Sequence, residues 1–289
     1  MTLRAAVALQ AFFVAAGSGQ RLCLLHSPAT APRGLVVYLH PWAEEMNKAR
    51  RMASLQARAL AEAGFAVLQI DLRGCGDSSD SWADTRWSDW VDDAVLAVAT
   101  LRQHWPQASL PLWLWGLRSG CLLACQAAHR LAEPCHLLFW QPAPSGKPVL
   151  QQFLRLKAAA HLQGDAKAVL ERVRQGLAAG HAQEIAGYAL SPGLAQGLEH
   201  SSLKPAAANP GRLLWLEVST RNDATLLPGS AAPLQAFRDA GHGVQAQVCQ
   251  GPAFWQTQEI EDAPALIQAT TQALLEAMAA VRAEAASAA

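Results

Sequence analysis

Short apolar runs alternate with longer segments of helical periodicity along most of the chain. Apolar runs rich in Val, Leu, Phe and Trp are typical of buried parallel strands, and the longer segments are typical of the helices that connect them. Eight strands are predicted, at 7–15, 21–26, 34–40, 66–71, 111–115, 136–140, 213–218 and 244–249. Helices are predicted at 49–63, 87–104, 119–131, 233–240 and 263–284. The pattern indicates an α/β fold with a mostly parallel eight-stranded sheet and helices on both faces.

The alternation stops after the sixth strand. Residues 143–209 are dominated by Ala, Gln, Leu and Gly and have helical patterning. Within them, Ser191 is a plausible N-cap and Pro192 a first helical residue. We therefore expect an inserted helical cap at 143–209, and a core formed by 1–142 together with 210–289.

Composition narrows the class of partner. The 289 residues suit one large α/β domain, and 23 Lys plus Arg balance 23 Asp plus Glu, so no basic surface favours nucleic acid. The six cysteines contain no CxxC pair, which predicts reduced thiols in a cytoplasmic protein and neither a zinc site nor another cofactor.

The first twenty residues imitate a signal peptide, but Gln10 interrupts the apolar run and a first strand is favoured. No apolar run is long enough for a membrane span, and a small molecule or another protein is the expected partner.

The stretch PLWLWGLRSG, at 111–120, predicts a buried strand that runs into a sharp turn. The nucleophile elbow of a hydrolase needs small residues two places before and after its apex. Gly116 and Gly120 meet this requirement when Arg118 is the apex, whereas an apex at Ser119 would place leucine and cysteine there. An arginine has no acceptor and cannot act as a nucleophile or base. It can pair with an internal carboxylate or hold a carboxylate or phosphate of a substrate, and both alternatives stay open.

The other members of a serine triad are hard to find. An α/β hydrolase places its acid and then its histidine after the serine. Asp223 follows the seventh strand, where the acid is expected, although an ordinary turn residue explains it equally well. The loop after the last strand, 251–262, has no histidine, and His242 precedes that strand, where we expect a surface turn. His40 ends the third strand and either handles a proton or bonds the loop backbone, so an ordinary Ser-His-Asp esterase is not predicted.

Ligands of such sheets gather at the carboxyl ends of the strands. Glu44 and Glu45 begin a helix at this edge, where they are either solvated residues of the helix start or carboxylates beside Arg118. The turn DLRGCGDSS brings its backbone close to the same edge. Tryptophan faces in these loops suit sugar rings or acyl chains, although core packing explains any single one. The candidate ligand-binding residues are Trp42, Glu44, Glu45, Asp71, Cys75, Trp140 and Trp255.

With these motifs in place, the chain resembles the α/β-hydrolase superfamily over nearly its whole length. The segments HPWAEEMNKARRMASLQARALAEAGFAVLQIDLRGCGDS, WGLRSG, EIAGYALSP and GPAFWQTQEI resemble more closely the exosortase A system-associated hydrolase 2 family. In that family an arginine also occupies the elbow apex. The resemblance implies an α/β-hydrolase fold and a cytoplasmic protein that works beside exopolysaccharide assembly.

Two hypotheses of function follow. In the first, the protein is a hydrolase or acyl transferase that acts on an ester or acyl substrate, in which Arg118 binds an anionic or oxyanionic group and His40 or a loop carboxylate handles the proton. In the second, it is a noncatalytic module that binds a sugar, acyl or phosphorylated ligand, or a protein of the polysaccharide machinery.

Overall fold

The computed structural model describes residues 7–106, 110–160, 165–206 and 210–288, and its centre is one eight-stranded sheet. The order of the strands across the sheet is β1-β2-β4-β3-β5-β6-β9-β10. The strand β2 runs antiparallel to both of its neighbours, and the pairs from β4 to β10 are parallel. The strands are β1 Ala8–Ala16, β2 Gly19–Ser27, β3 Leu35–Leu39, β4 Ala66–Ile70, β5 Leu112–Leu117, β6 His136–Trp140, β9 Arg212–Ser219 and β10 Gly243–Gln250. The predicted fold class is therefore confirmed.

Helices cover both faces of the sheet. The helices α1 Glu44–Glu62 and α8 Pro264–Ala288 bury their apolar residues against one face. The helices α2 Trp87–His104, α3 Gly120–Arg130 and α7 Ala231–Asp239 pack on the other face. Strands between two helical layers are apolar on both sides, which is why β3 and β5 are buried along their whole length.

The chain between β6 and β9 forms a separate group of elements. It contains α4 Gly146–Ala159, α5 Ala166–Ala178, the hairpin of β7 Gln183–Ile185 and β8 Tyr188–Leu190, and α6 Pro192–His200. The Ser191 hydroxyl caps α6 by accepting a hydrogen bond of 2.9 Å from Leu194 N. The helix α6 approaches α2 at Gly197, where a Cβ would lie 2.2 Å from the Trp87 side chain.

The helix α1 begins at Glu44, five residues before its predicted start at 49, and two further details differ from the sequence expectations. His242 does not occupy a surface turn: it is buried, and its Nδ1 accepts a hydrogen bond of 3.2 Å from Gly211 N. The hairpin β7–β8 was not predicted. Within the described residues, no helix combines the length and the hydropathy that a membrane crossing requires.

Candidate functional site

The turn after β5 has the geometry of a strand-to-helix elbow. Arg118 has a φ of 55°, which is uncommon for a residue with a side chain. A Cβ on Gly116 would lie 2.5 Å from Cys121 N, and one on Gly120 would lie 2.1 Å from Leu39 O. Both positions are thus closed to side chains. The backbone of the turn is also fixed to the neighbouring strand, because Arg118 N donates to Trp140 O at 3.0 Å.

The Arg118 side chain lies between a carboxylate and an aromatic ring. Its Nε is 3.5 Å from Glu45 Oε1, and its Cζ lies 5.6 Å from the centroid of the Trp255 ring, within the range of a cation–π contact. Arg118 Nε and Glu45 Oε2 are both buried and have no hydrogen-bond partner among the described residues. The Arg118 and Glu45 side chains keep 20% and 18% of their surface exposed, so the pair remains accessible from outside.

In the Arg118–Glu45 pair, burial affects the pKa of the carboxyl more strongly than the neighbouring guanidinium does. Burial raises the pKa of the Glu45 carboxyl, and the nearby Arg118 guanidinium opposes that shift without cancelling it. Its neighbour Glu44 is exposed and accepts a hydrogen bond of 2.9 Å from Asn47. Of the two glutamates that begin α1, Glu45 faces the elbow and Glu44 faces solvent.

His40 is held by the backbone on both sides of its ring. Its Nδ1 donates to Pro41 O at 2.8 Å, and its Nε2 accepts a hydrogen bond of 3.4 Å from Leu72 N. Burial lowers the pKa of the imidazole to about 4, so the ring is neutral at pH 7. With both nitrogens occupied, His40 acts as a support between two loops.

Ser119 is the first residue after the elbow apex and is 2% exposed. It has φ −65° and ψ −23°, which continue into α3, and its hydroxyl has no hydrogen bond to a histidine among the described residues. The described residues therefore do not assemble a Ser-His pair at the elbow.

The acid that the sequence offered lies on the surface. Asp223 is exposed and pairs with Arg221 in the same loop, at 3.1 and 3.0 Å. The buried acid in this region is Glu217, which sequence reasoning missed although a glutamate within an apolar strand was the available signal. Glu217 accepts hydrogen bonds from Trp215 Nε1 at 2.8 Å and from Leu227 N at 2.7 Å, and so fixes the loop after β9.

Asp71 and the glycine turn after β4 form a compact polar group. Asp71 Oδ2 accepts hydrogen bonds of 3.1 Å from Arg50 Nη2 and from Asp77 N. A Cβ on Gly76 would lie 1.9 Å from that same oxygen, so only glycine allows this arrangement. Beside this group, Tyr38, His40, Arg50 and Asp71 border a cavity of about 170 Å³.

Cys75 lies inside this turn and is buried. The Trp82 indole donates to its sulfur at 3.3 Å, and burial raises the pKa of its thiol to about 12. A thiol of that pKa stays protonated at pH 7, so Cys75 is not an activated nucleophile in this structure. Among the described residues, no group of three His, Cys, Asp or Glu side chains is placed to hold a metal.

All three tryptophan candidates lie inside the core, and Trp255, which is 4% exposed, is the one whose ring also contacts Arg118. Trp140 is 1% exposed and donates to Thr270 Oγ1 at 2.8 Å. Trp42 is 3% exposed and packs on Trp82, Trp90 and other aromatic rings. The structure thus brings Arg118, Glu45 and Trp255 into one site, and leaves the other candidates in neighbouring loops, in the core or on the surface.

Comparison with known proteins agrees with the observed fold. Residues 30–184, more than half of the chain, match the family model described as serine aminopeptidase, S33. A highly thermostable carboxyl esterase from Bacillus coagulans, solved with glycerol, has a TM-score of 0.62 at 15% identity, covering 94% of this chain and 100% of the esterase. Est1E from Butyrivibrio proteoclasticus, solved with ferulic acid, has a TM-score of 0.61 at 15% identity over 93% and 99% of the two chains.

An α/β serine hydrolase without a lid from Xanthomonas campestris has a TM-score of 0.54 at 16% identity, over 92% of this chain and 94% of the other. At these identities the similarity establishes the fold alone. The curated proteins include no match to the chain. The α/β-hydrolase architecture, the elbow and the match over more than half of the chain together show that the protein belongs to the serine aminopeptidase S33 family of α/β hydrolases.

Proposed function

We propose that the protein uses its α/β-hydrolase scaffold to hold a small ligand by an anionic or oxyanionic group at Arg118. One observation carries this proposal: Arg118 Nε is buried and has no hydrogen-bond partner among the described residues, and its contact with Glu45 Oε1 is 3.5 Å long. A guanidinium that is four-fifths buried and makes only this loose contact with a carboxylate has a donor to spare for a ligand.

The surroundings of Arg118 favour binding over serine chemistry. His40 has no free nitrogen with which to accept a proton from Ser119, and Asp223 is occupied by Arg221 on the surface. A planar guanidinium matches a carboxylate, a phosphate or the oxygen of an ester carbonyl, and the Trp255 ring beneath it supplies an apolar wall.

Hydrolysis of an ester or acyl bond is a second candidate, and Glu45 favours it. Its Oε2 is buried and has no hydrogen-bond partner in the part of the chain that the structure describes, and burial raises the pKa of its carboxyl, which are properties of a general base. In this scheme, Glu45 would accept a proton from water while the water oxygen attacks the carbonyl carbon. Arg118 would stabilise the negative charge that develops on the carbonyl oxygen. The adduct would then collapse: its bond to the leaving alkoxide oxygen breaks, and Glu45 returns the proton to that oxygen, which releases an alcohol and the carboxylic acid.

The biological setting of the proposal rests on the sequence resemblance. We place the protein in the cytoplasm beside bacterial exopolysaccharide and exosortase systems, with a sugar, acyl or phosphorylated compound or a protein of that machinery as its partner. The elements between β6 and β9 would act as the cap over the site.

The proposal is tested by binding and by turnover in the same set of variants. Titration calorimetry with acetate, glucuronate and inorganic phosphate should give binding that Arg118→Met abolishes and Arg118→Lys weakens. Arg221→Met is the matched control, because it removes an exposed arginine whose partner lies in its own loop. Failure of all three probes to bind, or binding that survives Arg118→Met, would contradict the proposal.

Turnover of short nitrophenyl esters distinguishes the two candidates. Under the binding hypothesis no enzymatic rate is expected, and under the hydrolase hypothesis Glu45→Gln should abolish a rate that Ser119→Ala leaves intact. A rate that is lost in Ser119→Ala would show that the serine attacks, and would overturn both.

A further inference from the structure

Among the described residues, no strand pairs with the outer edge of β1, the first strand of the sheet. β1 is paired with β2 on one side over all nine of its residues, in a continuous register without a bulge, and it ends the order of the sheet on the other side. Its sequence, ALQAFFVAA, contains no charged residue and no proline. Natural edge strands usually carry such residues, or bulges or covering segments, because their free N–H and C=O groups otherwise pair with another strand. The edge of β1 therefore has the properties of an interface.

The two faces of β1 differ in how they are covered. Phe12 and Val14 point to the face under α2 and pack against the core. Leu9 and Phe13 point to the opposite face and are 60% and 49% exposed, which places them among the most exposed large apolar side chains of the described residues. An apolar face beside a free edge indicates that the partner extends the sheet and also covers these side chains.

We propose that the protein forms a homodimer in which the β1 strands of two copies pair in an antiparallel manner around a two-fold axis at Ala11. A two-fold axis perpendicular to the sheet keeps the same face of both subunits on the same side. Odd-numbered residues of one β1 strand then lie opposite odd-numbered residues of the other. With Ala11 on the axis, Leu9 lies opposite Phe13 of the partner subunit, and Phe13 lies opposite the partner's Leu9. This register pairs both exposed apolar side chains with each other and places no like charges across the interface.

A second copy is favoured over another occupant because antiparallel pairing of one strand with itself is self-complementary. Such a contact closes after two subunits and leaves no free edge on either β1. The paired strands give one continuous sheet through both subunits. A different partner would need its own uncharged edge strand and an apolar residue in each of these two positions.

The first test is the mass in solution. Sedimentation velocity or light scattering on the full chain should give twice the chain mass of 30.8 kDa. Leu9→Lys and Phe13→Lys should each convert the dimer to a monomer, because two lysines would then face apolar side chains across the axis. Ile260→Lys is the matched control, since Ile260 is 67% exposed and lies outside β1, and it should leave the dimer intact.

The second test fixes the register and does not depend on how the lysine variants fold. The six native cysteines are buried, so Ala11→Cys introduces a thiol that is placed for a short bismaleimide to join two copies. Ala15→Cys is the control, because its two copies would lie about 27 Å apart at the rise of a strand. Cross-linking at 11 and not at 15 supports the proposal. A monomer at all concentrations, a dimer that survives Phe13→Lys, or equal cross-linking at both positions would overturn it.

Discussion

The close approach of the elbow to β3 predicts a large effect for Gly120→Ala. A Cβ at this position would lie 2.1 Å from Leu39 O and 2.9 Å from His40 O. A carbon and a carbonyl oxygen settle at about 3.3–3.6 Å, so the start of α3 and the end of β3 would have to separate by about 1 Å. Both atoms in the way belong to backbone, and no side-chain rotation can relieve the contact.

Overpacking of this kind costs about 1–3 kcal/mol of unfolding free energy and occasionally more. An alanine recovers at most about 1 kcal/mol through its smaller loss of chain entropy on folding. Because the obstacle is rigid, we expect Gly120→Ala to lower the free energy of unfolding by about 2 kcal/mol or more.

Urea denaturation, followed by tryptophan fluorescence, measures this difference from the shift in midpoint at constant slope. Gly229→Ala is the matched control, because a Cβ at Gly229 would meet no atom within 4 Å. We expect that variant to stay within about 0.5 kcal/mol of the original protein. If the two alanine variants are equally stable, the elbow does not pack on the end of β3, and Arg118 is not held at its apex by that contact.

Three other substitutions or reactions check separate parts of the site. Arg118→Gly should be more stable than Arg118→Ala by about 1 kcal/mol in thermal denaturation, because the φ of 55° strains any residue with a Cβ; equal stability would argue against that backbone conformation. Burial raises the pKa of Glu45, so the folded state binds more protons than the unfolded state. The free energy of unfolding of the original protein therefore falls as pH rises from about 4.3, the pKa of an unfolded glutamate, through the pKa of Glu45 in the folded state. The free energy of unfolding of Glu45→Gln, measured by urea denaturation and compared with that of the original protein, should therefore increase over this pH range. A difference that stays constant with pH would contradict a raised pKa of Glu45. The six buried cysteines should react with a thiol reagent at pH 8 only after unfolding, since burial raises their pKa values, and one rapidly labelled thiol in the folded protein would refute this.

The sheet could be predicted from the sequence because its strands are buried on both faces. A strand such as LVVYL in β3 is apolar at every position, and such runs stand out against amphipathic helices. The helix α1 shows where the pattern fails. It was predicted from 49 but begins at Glu44, after Ala43 with a φ of 50° and no side-chain cap, so the usual signal of a helix start is missing. The hairpin β7–β8 escaped prediction because its strands have only three residues each.

The candidate site, like the fold, could be predicted only in part. The elbow could be predicted because its two glycines stand at fixed positions two places before and after the apex, although the atoms that Gly120 approaches belong to β3. The surroundings of its side chains depend on distant segments: Glu45, Arg118 and Trp255 meet only when α1, the elbow and the loop after β10 are packed. Asp223 and Glu217 are only six positions apart, yet one is exposed and the other buried. Sequence position alone could not decide which of the two faces inward.

The contact between Arg118 and Glu45 is best understood as an incomplete ion pair. At 3.5 Å and with both side chains partly exposed, it contributes about 0–1 kcal/mol to stability. Hydrogen bonds to a charged group contribute about 1.5–3 kcal/mol each, so a ligand that binds the guanidinium in a bidentate manner would outweigh the contact. The remaining cost is repulsion between an anionic ligand and Glu45, and it disappears when that carboxyl is protonated. Since burial already raises the pKa of Glu45, the proposed function implies that the site would accept a proton together with an anion, or a hydroxyl group that bridges both side chains.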